Sequence, residues 1–270
     1  MKKVLLSLAI VCFGLALTTS QALAVDTSVL LGSLQIQFQN IDVASLYGST
    51  NNNLPTGDSD SFALITVTNI NSLSNNASVW SQTPGVDTLT GILYGLDDTA
   101  VTVIGNTQVI SSVGGYIDIY SKLSSVNSLA ATAPVLVGGG LAAPTDLWSA
   151  TGTVDQLFLR LQIIDGSYSA TATASPIDFS VTGSSSAYLR VIGGSAMSTF
   201  DSNIYDSIFS GADMWLYDSF SSNSLTPAQK LNGWTVGSGG DVLGSGVPEP
   251  ASMILMGIGL FGAARLRRKA

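Results

Sequence analysis

Apolar and polar residues take turns at period two through much of this chain, and that pattern limits its fold more than any other feature. Leu34-Gln35-Ile36-Gln37-Phe38 sets three apolar side chains on one face and two amides on the other. Alternation of this kind marks a strand with one buried face. Ile65 and Val67 alternate with Thr66 and Thr68, and Tyr116 to Tyr120 repeats the pattern. Leu157 to Ile164 reads as a central strand that Asp165-Gly166 ends. Tyr168 to Ala174 and Ala187 to Ile192 add two more, the second stopped by Gly193-Gly194. Val101 to Ile104 and Thr107 to Ile110 flank Gly105-Asn106, a tight turn between paired strands. Helical periodicity is scarce; Asn203 to Gly211 is expected to form one short helix. The expectation is an all-β, antiparallel, sandwich-like domain, flanked by a signal helix and a transmembrane-like C-terminal helix.

Composition narrows what such a domain can do. The chain has no His, and its one Cys, Cys12, lies near the N-terminus. The body therefore offers no disulfide framework, no ordinary zinc site, no Ser-His-Asp or Cys-His set and no imidazole base. Between the two ends, Lys122, Arg160, Arg190 and Lys230 stand against seventeen Asp, so four positive and seventeen negative charges leave −13. Such a surface repels nucleic acid and anionic membranes, and suits cations, neutral sugars or other proteins.

Three kinds of site remain open. Asp58 and Asp60, with Asn53 and Ser59 nearby, are spaced like oxygen ligands of calcium, the one candidate ion; Asp97, Asp98 and Asp165 are further donors. The competing role is turn capping, which Asp performs well. Trp215 and Tyr217 alternate within Met214-Trp215-Leu216-Tyr217, share one face and could stack on sugar; most aromatics should instead fill the core. Paired Asp carboxylates could hydrolyse glycosidic bonds, but no pair is singled out. A non-catalytic role is expected, with a polysaccharide-acting hydrolase or a carbohydrate-binding module as alternatives.

Both ends read as addresses. Lys2 and Lys3 precede an apolar run, Val4 to Leu17, and Ala22-Leu23-Ala24 is a small-x-small cleavage site, so the mature chain should begin at Val25. At the far end Val247-Pro248-Glu249-Pro250 leads into Ala251 to Ala264, which is free of charge. As a helix that run spans about 21 Å against a hydrocarbon core of about 30 Å. Snorkelling by the basic cluster can make up the difference. Arg265, Arg267, Arg268 and Lys269 favour the cytoplasmic side, which leaves the body outside. The expected division is a signal peptide over 1–24, a β-rich domain over 25–222, a Gly/Ser-rich tether over 223–246 and a sorting signal over 247–270.

This tail resembles the PEP-CTERM sorting domain of Gram-negative bacteria: Pro248-Glu249-Pro250, the apolar span and the basic cluster occur in its order at the C-terminus. The resemblance covers about a tenth of the chain. It implies processing by exosortase, a membrane cysteine peptidase, with Pro248, Glu249 and Pro250 as recognition residues. It also implies an inner-membrane-anchored intermediate, a final place at the cell surface or in the extracellular matrix, and an association with exopolysaccharide, biofilm or floc formation.

Overall fold

Long strands with alternating apolar residues pair antiparallel around a ring, and a short one, Ser78–Ser81, adds to Ser61–Ser72 outside it. The computed structural model describes residues 27–44, 61–83, 88–122, 156–177 and 180–247. The strands are β1 (Gly32–Ala44), β2 (Ser61–Ser72), β3 (Ser78–Ser81), β4 (Thr88–Ile104), β5 (Thr107–Lys122), β6 (Gln156–Ile163), β7 (Ser169–Ala174), β8 (Val181–Gly193), β9 (Met214–Ser221) and β10 (Val236–Gly246). Two short helices, α1 (Met197–Phe200) and α2 (Pro227–Leu231), lie between the last strands.

The order around the sheet is β1-β10-β9-β8-β6-β5-β4-β2, and β2 returns to β1. Strand β1 is the closing element. It pairs with β10 from Gly32↔Gly246 to Asp42↔Val236 and with β2 from Leu34↔Ser72 to Ala44↔Ser61. The result is an eight-stranded antiparallel barrel. A sandwich was expected; with both edges of β1 hydrogen-bonded there is one closed sheet instead of two open ones. Strands β6 and β7 share one position in the wall. β6 pairs with Tyr116–Ser121 of β5, and β7 with Thr107–Ser111. Asp165-Gly166 make the break between them, with Gly166 in the left-handed region at φ 77°. The β4–β5 hairpin turns at Gly105-Asn106 as its sequence predicts, with Ile104 facing Thr107.

The supposed tether is part of the wall. Residues Val236–Gly246 form β10 and pair with β1 and β9. Its glycines permit close approach: a Cβ on Gly240 would strike the Tyr217 carbonyl, and one on Gly246 the Leu30 carbonyl. The domain therefore runs on to Gly246, past the boundary expected near 222. Asn203 to Gly211 makes turns and no helix. The Asp213 carboxylate accepts the Ser202 and Asn203 N–H groups at 2.8 and 2.7 Å, offering the backbone an alternative to helical bonds.

Two rims follow from the strand directions. One, the tail rim, is where β1 starts and β8 and β10 end. There α1 lies across the staves, with Phe200 edge-on to Phe158 at 6.3 Å, and Val247 N–H donates to the Thr199 carbonyl. The half of the lumen next to it is packed with Leu34, Ile36, Val67, Leu89, Leu159, Leu161, Leu189 and Met214, all buried in one cluster. Each such side chain contributes about 1.5–3 kcal/mol on leaving water. The other rim, the mouth, gathers the end of β1, the start of β2, the start of β8, the end of β9 and the start of β10. Beside it a smaller cluster of Ile41, Phe62, Leu64, Ile92 and Leu225 packs against Trp234, whose ring stacks on Phe62 at 6.2 Å. A capping box between Thr226 and Gln229 starts α2 and fixes the connection that delivers Trp234.

Candidate functional site

Toward the mouth the lumen is not filled. Alternation carries the inward face of β1 from Leu34, Ile36 and Phe38 to Asn40 and Asp42, and that of β9 from Met214 and Leu216 to Asp218. The facing wall supplies small side chains, Ala63, Ala170, Ala172 and Ser185. Polar ends and small neighbours together leave a cavity of about 240 Å³. Its apolar sides come from Phe38, Phe62, Ile65, Leu96, Ile117 and Leu216.

Three carboxylates face this space: Asp42, Asp98 and Asp218. Asn40 Nδ2 donates to Asp42 Oδ1 at 2.7 Å. Ser238 Oγ lies 3.1 Å from Asp42 Oδ2 and also bonds Asn40 Oδ1, so Asn40 and Ser238 hold Asp42 together. Asp218 Oδ1 accepts from both the N–H and the hydroxyl of Ser185. Ser112 Oγ donates to Asp98. Tyr168, from the break between β6 and β7, lines the same space beside Ser185. No Lys or Arg among the described residues lines the cavity.

Electrostatics follow from that inventory. Burial, then the charge of Asp218, pushes the Asp42 carboxyl from its ordinary 3.8 up to about 8, and the bonds from Asn40 and Ser238 offset only part of this. Burial also raises Asp218, against the hydrogen bonds of Ser185 and Ser238. The Tyr168 phenol is raised by burial and then by Asp218, Asp98 and Asp42. Asp42 therefore holds a proton that an exposed aspartate would have lost.

The outer wall treats a carboxylate differently. Asp118, fully buried, takes Arg160 Nε on Oδ1 at 2.7 Å and Nη2 on Oδ2 at 2.6 Å. The hydroxyls of Tyr94 and Tyr120 approach the same carboxylate at 3.3 and 3.4 Å. Burial, then Asp118, holds the Tyr120 phenol up at about 12. This is a structural clamp between neighbouring strands.

The residues expected from the sequence fare unevenly. Trp215 and Tyr217 do share the outer face of β9, with ring centroids 6.1 Å apart and Tyr217 47% exposed. Tyr188 sits opposite Trp215 across β8 and packs on Phe209 and Tyr205, so the aromatic patch is larger than the two residues predicted. Trp80 and Trp234 are buried. Asp165 accepts the Gly114 N–H at 3.1 Å, a structural use. Asp58 and Asp60, the calcium candidates, lie outside the described residues, as do Ala22, Ala24, Pro248, Glu249, Pro250, Arg265, Arg267, Arg268 and Lys269. Among the described residues no three acidic side chains converge to hold a metal ion, and no helix is long and apolar enough to cross a membrane. Asp42, Asp218 and Tyr168 were missed as a group. The signal that could have found Asp42 and Asp218 is an acid at an inward position of an alternating strand.

Residues 246–269 match the family model described as the PEP-CTERM protein-sorting motif. Neither a curated protein nor a solved structure matches the chain. The match begins on the last residue of β10, so the sorting segment leaves directly from the tail rim. The motif implies exosortase-dependent sorting of an exported protein through a membrane-anchored intermediate, and this chain is a carrier of that motif, with a closed β-barrel as its cargo.

Proposed function

We propose that the chain is an exported, non-catalytic protein of the cell surface or extracellular matrix, delivered by exosortase and associated with exopolysaccharide, biofilm or floc formation. The observation that carries this reading is the junction at Gly246. There the last wall strand ends and the sorting motif begins. Pro248-Glu249-Pro250 would be read by the peptidase, and Arg265, Arg267, Arg268 and Lys269 would stop the tail at the inner membrane. In that intermediate the tail rim faces the bilayer and the mouth points away from it. Cleavage within the motif releases a barrel whose strand pairing is intact.

The aromatic patch of Trp215, Tyr217 and Tyr188 favours a second, compatible reading, in which the outer wall binds matrix sugar.

Deletion of residues 247–270 tests the main reading by cell fractionation and by pull-down on the producer's own exopolysaccharide. The expected result is loss of the membrane-bound intermediate and of surface or matrix material. Unchanged fractionation would overturn it. Trp215→Ala with Tyr217→Ala should reduce polysaccharide retention without changing sorting.

A further inference from the structure

The cavity at the mouth is a place for a ligand that neither the sorting motif nor the aromatic patch accounts for. Natural lumens of this width are usually filled by side chains or hold one small ligand. An apolar cavity of about 150 Å³ admits benzene, so about 240 Å³ admits a molecule of roughly ten heavy atoms. Phe38, Phe62, Ile65 and Leu216 offer it apolar surface. At one side Asp42, held by Ser238, lies close enough to Asp218 to feel its charge, and Asp98 faces the same space. All the charge there is negative, and no basic side chain among the described residues lines the cavity to balance it. The acids do not converge as metal ligands do. What complements such a site is one positive charge on an apolar body, with N–H groups to donate.

We propose that the mouth cavity binds a small organic ammonium ion, its hydrocarbon part against Phe38, Phe62 and Leu216 and its N–H groups on Asp42 and Asp218. Binding is coupled to protons. The groups facing Asp42 are Asn40 on its own strand, Ser238 on β10, Asp218 on β9, Asp98 on β4 and Tyr168 beyond β6. None of them is a cation, and an acid that accepts from the ammonium N–H groups does so as the carboxylate, so Asp42 releases its proton to solvent as the ion arrives. Affinity for the cation therefore rises with pH, while affinity for a neutral analogue does not.

The test uses the full chain in detergent, titrated calorimetrically with hexylammonium, hexanol and hexanoate. Trp234 stacks on Phe62, which lines the cavity, so its fluorescence gives a second readout. An Ala172→Phe variant that fills the cavity serves as the blank for partition into detergent. The expected order is hexylammonium first, at least about tenfold tighter than hexanol at about pH 9, the margin of one charge-assisted hydrogen bond, with hexanoate weakest. Hexylammonium should weaken several-fold toward about pH 6 as Asp42 takes its proton back. Asp42→Asn with Asp218→Asn should abolish the preference and leave hexanol binding in place. Three results would overturn the proposal: no saturable binding by wild type, hexanol binding as tightly as hexylammonium, or equal binding by the filled variant. The ranking of the three probes on wild type decides the matter even if a variant fails to fold.

Discussion

The two halves of the lumen are built on the same strands and differ in nearly everything else. Next to the tail rim, Leu161, Leu189 and Met214 interdigitate under α1 and leave little space. Next to the mouth, the same strands β8 and β9 present Ser185 and Asp218, and β7, which follows β6 in the wall, presents Ala170 and Ala172. The first half is where the fold gets its stability. The second gives some of it up, because buried carboxyls and unfilled volume both cost free energy. A wall that can afford an unfilled half has a packed one to hold it shut.

The contrast can be broken most forcefully from the packed side. Phe158→Ala removes the ring that meets Phe200, and should cost about 3–5 kcal/mol in urea unfolding. A loss below about 1 kcal/mol would mean that this half is not the stabilising one.

From the mouth the expected effect is smaller and opposite in sign. Asp42 holds its proton to about 8 when folded, and an unfolded aspartate only to 3.8. Between those values the folded state binds more protons, so stability falls as pH rises through that window and levels off above it. The melting temperature should drop between about pH 5 and pH 9. Asp42→Asn should reduce that slope, leaving the part that the raised Asp218 contributes, and add about 2–3 kcal/mol at the alkaline end, allowing for water in the cavity. An unchanged slope would move the effect to another group.

The outer wall provides a control for the same residue type. Asp118 is buried like the lumen acids but has Arg160 against it. Arg160→Met should cost about 2 kcal/mol, discounted because the guanidinium is partly in water. The smallest change expected is Ala172→Val at the cavity wall, within about 1 kcal/mol either way, since the added methyls meet open space. A loss of several kcal/mol there would show the mouth to be as tightly packed as the other half.

Much of the wall was legible in the sequence. Leu34 to Phe38 and Leu157 to Ile163 alternate plainly enough to be read as strands, and Gly105-Asn106 gives away its hairpin. Closure was not legible. Whether β1 has one partner or two depends on contacts with β10, far away in sequence, and no local pattern records it. Strand β10 hid for a further reason: where backbones crowd, at Gly240 and Gly246, the required residue is the one that also makes a good tether. The lumen acids hid because Asp is common in turns, and Asp42 and Asp218 gain their meaning only when opposite staves face each other. The tail was the reverse case, since its order of elbow, apolar span and basic cluster is local and matches the family model at 246–269.

That the first wall strand is sealed by the last has a consequence for timing. β1 waits at the front of the chain with one edge bare until Val236–Gly246 arrives. A chain threaded outward amino end first cannot latch its ring until almost the whole body has crossed. Closure therefore falls to the strand that runs straight into the sorting motif, so the ring is completed last and next to its address.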